Sequence, residues 1–234
     1  MRFSCFLILL LALPLHAQQS SIVADRPGLA DGSTTVGSHT FQLETGVTHE
    51  DDDGSLLTLP TLLRLGLASD FELRIESAVL GFTSGDEEWA PVALGFKWRV
   101  RDDEAFPLSL LVSVQPPSGG GSLGARELET SVRIVSDLDL GGGFSLTPNV
   151  GLSLVEGGDP VAVFAASVER EAGNAVPFLD FEVSAGDGET SAIVDGGVAW
   201  IVNRQTQLDI SGGVRVSGTA YPDHFIAAGI SRRF

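Results

Sequence analysis

The stretch QLDISGGVRV, residues 207–216, decides the fold class. In an extended chain Leu208 and Ile210 lie on one side, while Asp209 and Arg215 lie on the other. Successive side chains of a strand point to opposite faces, so this period of two predicts a strand with one apolar and one charged face. The same division recurs in residues 70–79, 89–100 and 127–134.

Twelve such segments follow residue 38, separated by clusters of Gly, Asp, Pro and Ser. Their lengths suit tilted strands that cross a bilayer, and only a closed sheet leaves no unpaired backbone groups in lipid. We therefore expect an all-β fold over residues 39–234: a transmembrane antiparallel up-and-down β-barrel of about 12 strands, with ten or fourteen as alternatives. The predicted segments are 39–50, 55–67, 70–81, 89–101, 107–115, 126–135, 143–154, 160–169, 176–185, 191–201, 206–216 and 224–234.

Composition excludes several other classes of protein. The 234 residues include 31 Asp and Glu but 14 Lys and Arg, a net charge of −17, which disfavours nucleic acid as a partner. The single cysteine, Cys5, excludes disulfides and cysteine-based metal sites. After residue 15 the longest apolar run is Val161–Ala166, too short for a membrane helix. No metal or cofactor motif is present, so none is expected.

Residues 1–17, MRFSCFLILLLALPLHA, have the pattern of a secretory signal peptide. Arg2 precedes an apolar stretch that ends at Leu15, and the small residue Ala17 stands before a polar segment. This arrangement predicts export and cleavage. We expect the mature protein in the outer membrane of a Gram-negative cell.

Residues 18–38 form a segment of low hydrophobicity before the first predicted strand. Two interpretations stay open. The segment is either a disordered periplasmic leader, or a partial plug in the barrel mouth. In the second case Asp25, Arg26 and Pro27 are the plug residues, with Arg26 meeting carboxylates of the lumen.

The charged faces of the strands define the candidate lumen, which carries eight acids and five bases. Isolated charges are costly in a dry interior, so the lumen is expected to be either hydrated or filled with cross-strand ion pairs. The first case is a small pore with a mild preference for cations, and the second is a sealed barrel. The candidate lumen residues are Glu72, Arg74, Glu76, Lys97, Arg99, Glu127, Glu129, Arg133, Asp180, Glu182, Asp195, Asp209 and Arg215.

The chain ends on an aromatic residue, Phe234, with Ile230 and Ile226 on the same face. This pattern resembles the signal that the barrel assembly machinery recognises in outer-membrane proteins. Arg232 departs from it, since an aromatic residue is commoner there.

Several short motifs resemble one family of outer-membrane proteins, named "Putative MetA-pathway of phenol degradation". They are the triplet Asp25-Arg26-Pro27, the approach from Gly37 to Thr40, the strand Phe41–Glu44 followed by Gly46, and the segments SDFELR (69–74), QLDISGGV (207–214) and GISRRF (229–234). The resemblance covers the mature chain and implies an outer-membrane barrel that takes up small solutes, with small aromatic or hydrophobic compounds as the expected class. It implies no established binding residues.

The sequence therefore predicts a barrel that passes small solutes by diffusion through a charged lumen. The alternatives are a structural or adhesive barrel with a sealed lumen, a secreted soluble β-sandwich and an outer-membrane hydrolase. The mature chain has only His39, His49 and His224 as neutral-pH bases, none with a Ser or Thr two residues further on, so no catalytic residues and no enzyme are expected. The expected partners are outer-membrane lipid, the barrel assembly machinery and a small-molecule solute.

Overall fold

The computed structural model describes residues 21–52, 54–83 and 86–234, which are mostly β-strand. The predicted signal peptide, residues 1–17, lies outside the described residues. Within the described part of the chain, no helix combines the length and the apolar character needed to cross a membrane. The strands are β1 Phe41–Asp51, β2 Ser55–Thr58, β3 Thr61–Gly66, β4 Phe71–Ser77, β5 Leu80–Thr83, β6 Asp86–Trp89, β7 Val92–Arg101, β8 Leu108–Gln115, β9 Glu129–Val135, β10 Leu138–Gly141, β11 Phe144–Val155, β12 Val161–Arg170, β13 Ala175–Gly186, β14 Glu189–Asn203, β15 Thr206–Ser217 and β16 His224–Arg233.

These strands close into a single antiparallel barrel. Twelve of them form the ring in the order β1, β3, β4, β7, β8, β9, β11, β12, β13, β14, β15 and β16, and β16 pairs with β1. The closing register runs from Gln42 opposite Arg233 to Asp51 opposite His224. Closure leaves the ring without a free edge, as lipid requires. The predicted twelve-stranded barrel is confirmed, and the β-sandwich alternative was wrong.

Three neighbouring barrel strands are interrupted. The breaks fall at Leu59–Pro60 between β2 and β3, at Ala78–Val79 between β4 and β5, and at Ala90–Pro91 between β6 and β7. Proline lacks the N–H that a ladder requires, which explains two of the three interruptions. The predicted segments 55–67 and 89–101 appear as two pieces for this reason, and segment 70–81 is divided at Val79, which has a φ of 48°.

The two faces of the barrel wall differ sharply. On β15, Leu208 and Ile210 expose 45% and 54% of their surface, while Asp209 and Ser211 expose 7% and 5%. These exposures show that the polar residues of β15 face the inside of the ring and that its aliphatic residues face outward. This is the distribution of a barrel that has lipid outside and a polar interior.

The barrel has two ends, one that carries both termini of the barrel strands and one on the far side, which we call the terminal end and the distal end. The terminal end is where β1 begins at Phe41 and where Phe234 donates its backbone N–H to the carbonyl of Phe41 at 2.8 Å. The distal end carries the long connection between β8 and β9 and the tight β13–β14 turn. In that turn Asp187 and Gly188 have φ of 49° and 75°, as a two-residue hairpin requires.

Candidate functional site: a barrel interior filled by residues 21–38

Residues 21–38, which we call the leader, run through the interior of the barrel. The amide of Gln42 on β1 donates to the carbonyl of Val23 at 2.9 Å. Two strands away around the ring, beyond β16, the amide of Gln207 on β15 donates to the carbonyl of Arg26 at 2.9 Å. The leader has no strand or helix of its own to satisfy its backbone, so the wall side chains take over that role.

Carboxylates of the wall accept hydrogen bonds from the leader backbone at several points. Glu44 Oε2 accepts from the N–H groups of Asp25 and Arg26, both at 3.0 Å. Glu72 Oε2 accepts from Val36 N–H at 2.7 Å. Such charge-assisted bonds are the strong ones, and they fix the path of the leader.

Further along the leader, the β11 and β13 walls supply the partners. Asn149 on β11 pairs with both backbone groups of Asp31, accepting from N–H and donating to the carbonyl at 3.0 Å each. Asp180 on β13 accepts from Leu29 N–H at 2.8 Å. Gly28 is required beside it, because a Cβ there would collide with the Asp180 carboxylate.

Asp25 is the centre of an ion-pair network. Its carboxylate accepts from Lys97 Nζ on β7 at 2.7 and 2.9 Å, lies 3.3 Å from Arg64 on β3, and pairs with Arg74 on β4. Burial alone would raise the pKa of Asp25, but the charges of Arg64, Lys97 and Arg74 outweigh it and hold the pKa well below its usual range. Asp25 is therefore a carboxylate at any ordinary pH.

Two of the three bases around Asp25, Arg64 and Arg74, are also paired with the wall. Arg64 lies 2.8 Å from Glu72 and 3.1 Å from Glu44, and the side chains of all three are fully buried. Arg74 lies 3.0 Å from Asp31 of the leader and 2.9 Å from Glu76. The β1–β7 side of the interior is therefore charged but locally neutralised.

The opposite wall, β12–β14, is acidic and lacks such neutralisation. Glu169, Asp180, Asp195 and Glu182 face inward there. Among the described residues only Glu182 has a base nearby, Arg133 on β9, at 3.6 Å. Both oxygens of Asp195 and Oδ1 of Asp180 are buried and have no hydrogen-bond partner in the part of the chain that the structure describes. This acidic wall and the neutralised cluster lie on opposite sides of the leader.

Cavities lie on both sides of the leader. One of about 440 Å³ opens toward the terminal end, between the leader and the β11–β15 wall, and is lined by Glu169, Phe178 and Gln207. A second, of about 380 Å³, reaches the interrupted strands at Pro60 and Pro91. A third, of about 260 Å³, lies in the distal half and is lined by residues that include Asp31, Glu129, Ser131 and Arg133.

Most of the predicted lumen residues point into the barrel, and several lie at its mouths. Arg99 pairs with Asp102 at 2.9 Å near the terminal end, and Arg215 pairs with Asp52 at 3.3 Å near the distal end. Asp209 lies 3.2 Å from Arg26 of the leader. Glu127 was placed on a strand face, but it is exposed and precedes β9, because the β8–β9 pairing stops at Gln115 and Glu129.

Sequence reasoning missed the most buried members of the network. Gln42, Glu44 and Arg64 have no exposed surface, yet they were absent from the predicted lumen. The signal was available: Arg64 stands between Leu63 and Leu65 and alternates with them. Among the described residues, no three His, Cys, Asp or Glu side chains come together as a metal site.

The predicted terminal signal lies on the outer face. Ile226, Ile230 and Phe234 are exposed, and the Phe234 ring lies 5.5 Å from that of Phe41 across the β1–β16 seam.

Solved structures share this fold. An outer membrane channel from Pseudomonas putida F1 is 12% identical, with a TM-score of 0.67 over 86% of this chain and 98% of that one. The KdgM porin is 11% identical, with a TM-score of 0.61 over 82% of this chain and 99% of that one. The NanC porin is 7% identical, with a TM-score of 0.56 over 82% and 98%. No curated protein matches the sequence.

The closed ring, its apolar exterior and these structural relatives define an outer-membrane β-barrel of the kind found in channels and porins. The family described as "Putative MetA-pathway of phenol degradation" matches residues 24–234. The chain belongs to this family.

Proposed function

We propose that this protein is a passive outer-membrane channel that passes small solutes through a lumen narrowed by residues 21–38. The observation that carries the proposal is the arrangement of the interior. Cavities of about 440 Å³ and 260 Å³ lie on the terminal and distal sides of the leader, and both are lined by charged and polar residues. Charged surfaces of this kind hold water, which a diffusing solute needs.

In this proposal the leader sets the width of the path. Its backbone is bonded to wall residues on opposite sides of the ring, such as Gln42 and Asn149, so it divides the lumen and leaves space on each side. Residues 1–17 act as the cleaved signal for export. The barrel assembly machinery and outer-membrane lipid are the partners, and the chain has no catalytic role.

The family name suggests small aromatic compounds as solutes. Nothing in the proposed path requires a substrate-specific reaction or an energy source. Solutes would move down their own gradients, at a rate set by size and charge.

A sealed structural barrel is the second candidate, and one observation favours it. The ion-pair network around Asp25, Arg64 and Glu44 is almost completely buried. A buried network in which every charge is paired is rigid, and a rigid, filled interior would block the passage of solutes.

Conductance separates the two candidates. The refolded mature chain, residues 18–234, is reconstituted in planar bilayers, with boiled and unboiled gel mobility as the check on folding. A channel gives discrete current steps, and liposomes that carry it swell in small sugars. Folded protein that gives neither result would exclude the channel and leave the sealed barrel.

A further inference from the structure

The acidic wall of β12–β14 contains polar groups that nothing in the described structure satisfies. Asp195 is 2% exposed, and neither of its oxygens has a hydrogen-bond partner. Ser211, its diagonal neighbour on β15, is 5% exposed and has an unpartnered hydroxyl. A buried carboxylate without a partner is costly, so this wall is built to meet a positive charge, a proton or water.

The carboxylates of this wall extend from one cavity toward the next. On β13 the inward residues are, in order, Phe178, Asp180 and Glu182, since alternate residues share a face. Phe178 lines the cavity at the terminal end, and Glu182 lies 3.6 Å from Arg133, which lines the distal cavity. Asp180 stands between the two, directly opposite Asp195 in the β13–β14 register.

Bases are scarce along this line. The sequences of β11, β13 and β14 contain no Lys or Arg. The one base of β12, Arg170, is exposed, and its guanidinium lies 5.1 Å from the centre of the Phe144 ring. The wall therefore carries an excess of negative charge, whereas the charges around Asp25 on the other side balance locally.

The leader covers this wall with small residues. Gly28 and Ala30 flank Leu29, whose N–H donates to Asp180, and Arg26 reaches only Asp209 on the next strand. Residues 28–30 contact Asp180 through backbone N–H groups that donate to its carboxylate. A small shift of these residues would open a path along the wall without breaking the network around Asp25.

We propose that the charged solutes of this channel are small cations, including protonated amines, and that Glu169, Asp180, Asp195 and Glu182 select them along the β12–β14 wall. The inference rests on the proposed function and names the solute charge and the side of the lumen used. Neutral solutes are not affected by this selection. Anions are disfavoured because they meet four carboxylates and one base, Arg133, on this path.

The test is the reversal potential of the refolded mature chain in planar bilayers under a KCl gradient. Asp195→Asn and Glu169→Gln each remove one charge from the wall, and within the described chain Asp195 has no hydrogen-bond partner to lose. Glu104→Gln is the matched control: it removes the same charge from an exposed position between β7 and β8. All variants are first checked for folding by heat-modifiable gel mobility.

We expect a wild-type preference for K⁺ over Cl⁻ that falls about threefold or more in each wall variant and stays unchanged in Glu104→Gln. Threefold is the effect of one unit charge on an ion roughly 6 Å away through water. The preference should also decline as salt is raised, because exposed charges are screened.

Two other outcomes separate the hypotheses. Channels that are unselective, that prefer anions, or that keep their selectivity in both wall variants overturn the inference and leave the channel proposal standing. Folded protein without any current steps overturns the channel proposal, and the inference with it.

Discussion

Gly46 on β1 and Gly229 on β16 lie directly opposite each other at the seam that closes the barrel. The guanidinium of Arg26 occupies the space that side chains at these two positions would fill. A Cβ on Gly229 would lie 2.5 Å from Arg26 Nε, and one on Gly46 would meet both the backbone carbonyl oxygen of Ala228 and, at 2.6 Å, Arg26 Nη2. The seam between β1 and β16 therefore also forms the surface against which Arg26 of the leader packs.

Gly229→Ala should displace the Arg26 side chain from its position beside Gly46 and Gly229 and weaken the attachment of the leader to the barrel wall. The three nearest atoms to the added methyl group all belong to the flexible side chain of Arg26, so Arg26 is the group that must move first. We expect a larger single-channel conductance and a loss of the 3.2 Å contact with Asp209. Gly54→Ala is the control, because no atom of the described residues lies within 4 Å of a Cβ at that position. Equal conductance in both variants would contradict the role of the glycine pair.

Asp25→Asn should weaken docking of the leader by about 3 kcal/mol, because breaking a buried ion pair leaves its partners uncompensated. A nitroxide at Val23, which is partly exposed, reports docking through its mobility. The mature chain has no other thiol to label, since Cys5 belongs to the predicted signal.

A second substitution, at Lys97, should partly restore docking in the Asp25→Asn variant. The recorded contacts of the Lys97 amine are both with Asp25, so Lys97→Met in the Asp25→Asn background removes the stranded charge. We expect the double variant to dock more firmly than Asp25→Asn alone. A label that stays immobile in the single variant would show that Asp25 is not central to docking.

Acid should leave the Asp25 contacts intact over the range in which free aspartate titrates. The docked pKa of Asp25 is depressed, so its stabilisation is complete above the undocked value and is lost only as pH falls through the lower, docked value. The mobility of the Val23 label in the wild-type chain is therefore expected to be the same at pH 7 and at pH 4, which is about the usual pKa of aspartate. A label that becomes mobile by about pH 4 would refute this prediction.

The strand pattern was readable because it depends on neighbouring residues. Alternation along QLDISGGVRV, with its counterparts in the other strands, was sufficient for the twelve-stranded ring. The placement of the leader was not readable, since its partners are 18 to 183 residues distant, as with Glu44 and Asp209. Glu127 was misplaced for a local reason: the sequence does not show where the β8–β9 ladder ends.

Phe234→Ser should reduce the amount of assembled protein in the outer membrane. Its ring packs 5.5 Å from Phe41, and its N–H closes the last pair of the seam. Phe144→Ser is the control, because Phe144 is also an exposed aromatic at the terminal end. The measurement is the fraction of heat-modifiable protein in membranes. An equal loss in both variants would assign the effect to lipid anchoring rather than to an assembly signal.

The most direct test of the account is a nitroxide scan of β15 in lipid vesicles, with collision by oxygen and by a water-soluble nickel chelate as the readout. The account predicts oxygen accessibility at Leu208, Ile210 and Val214, and its absence at Asp209 and Ser211. Accessibility to the nickel chelate at Leu208, Ile210 and Val214 would place the aliphatic face in water. That result would contradict both the membrane barrel and the channel proposed from it.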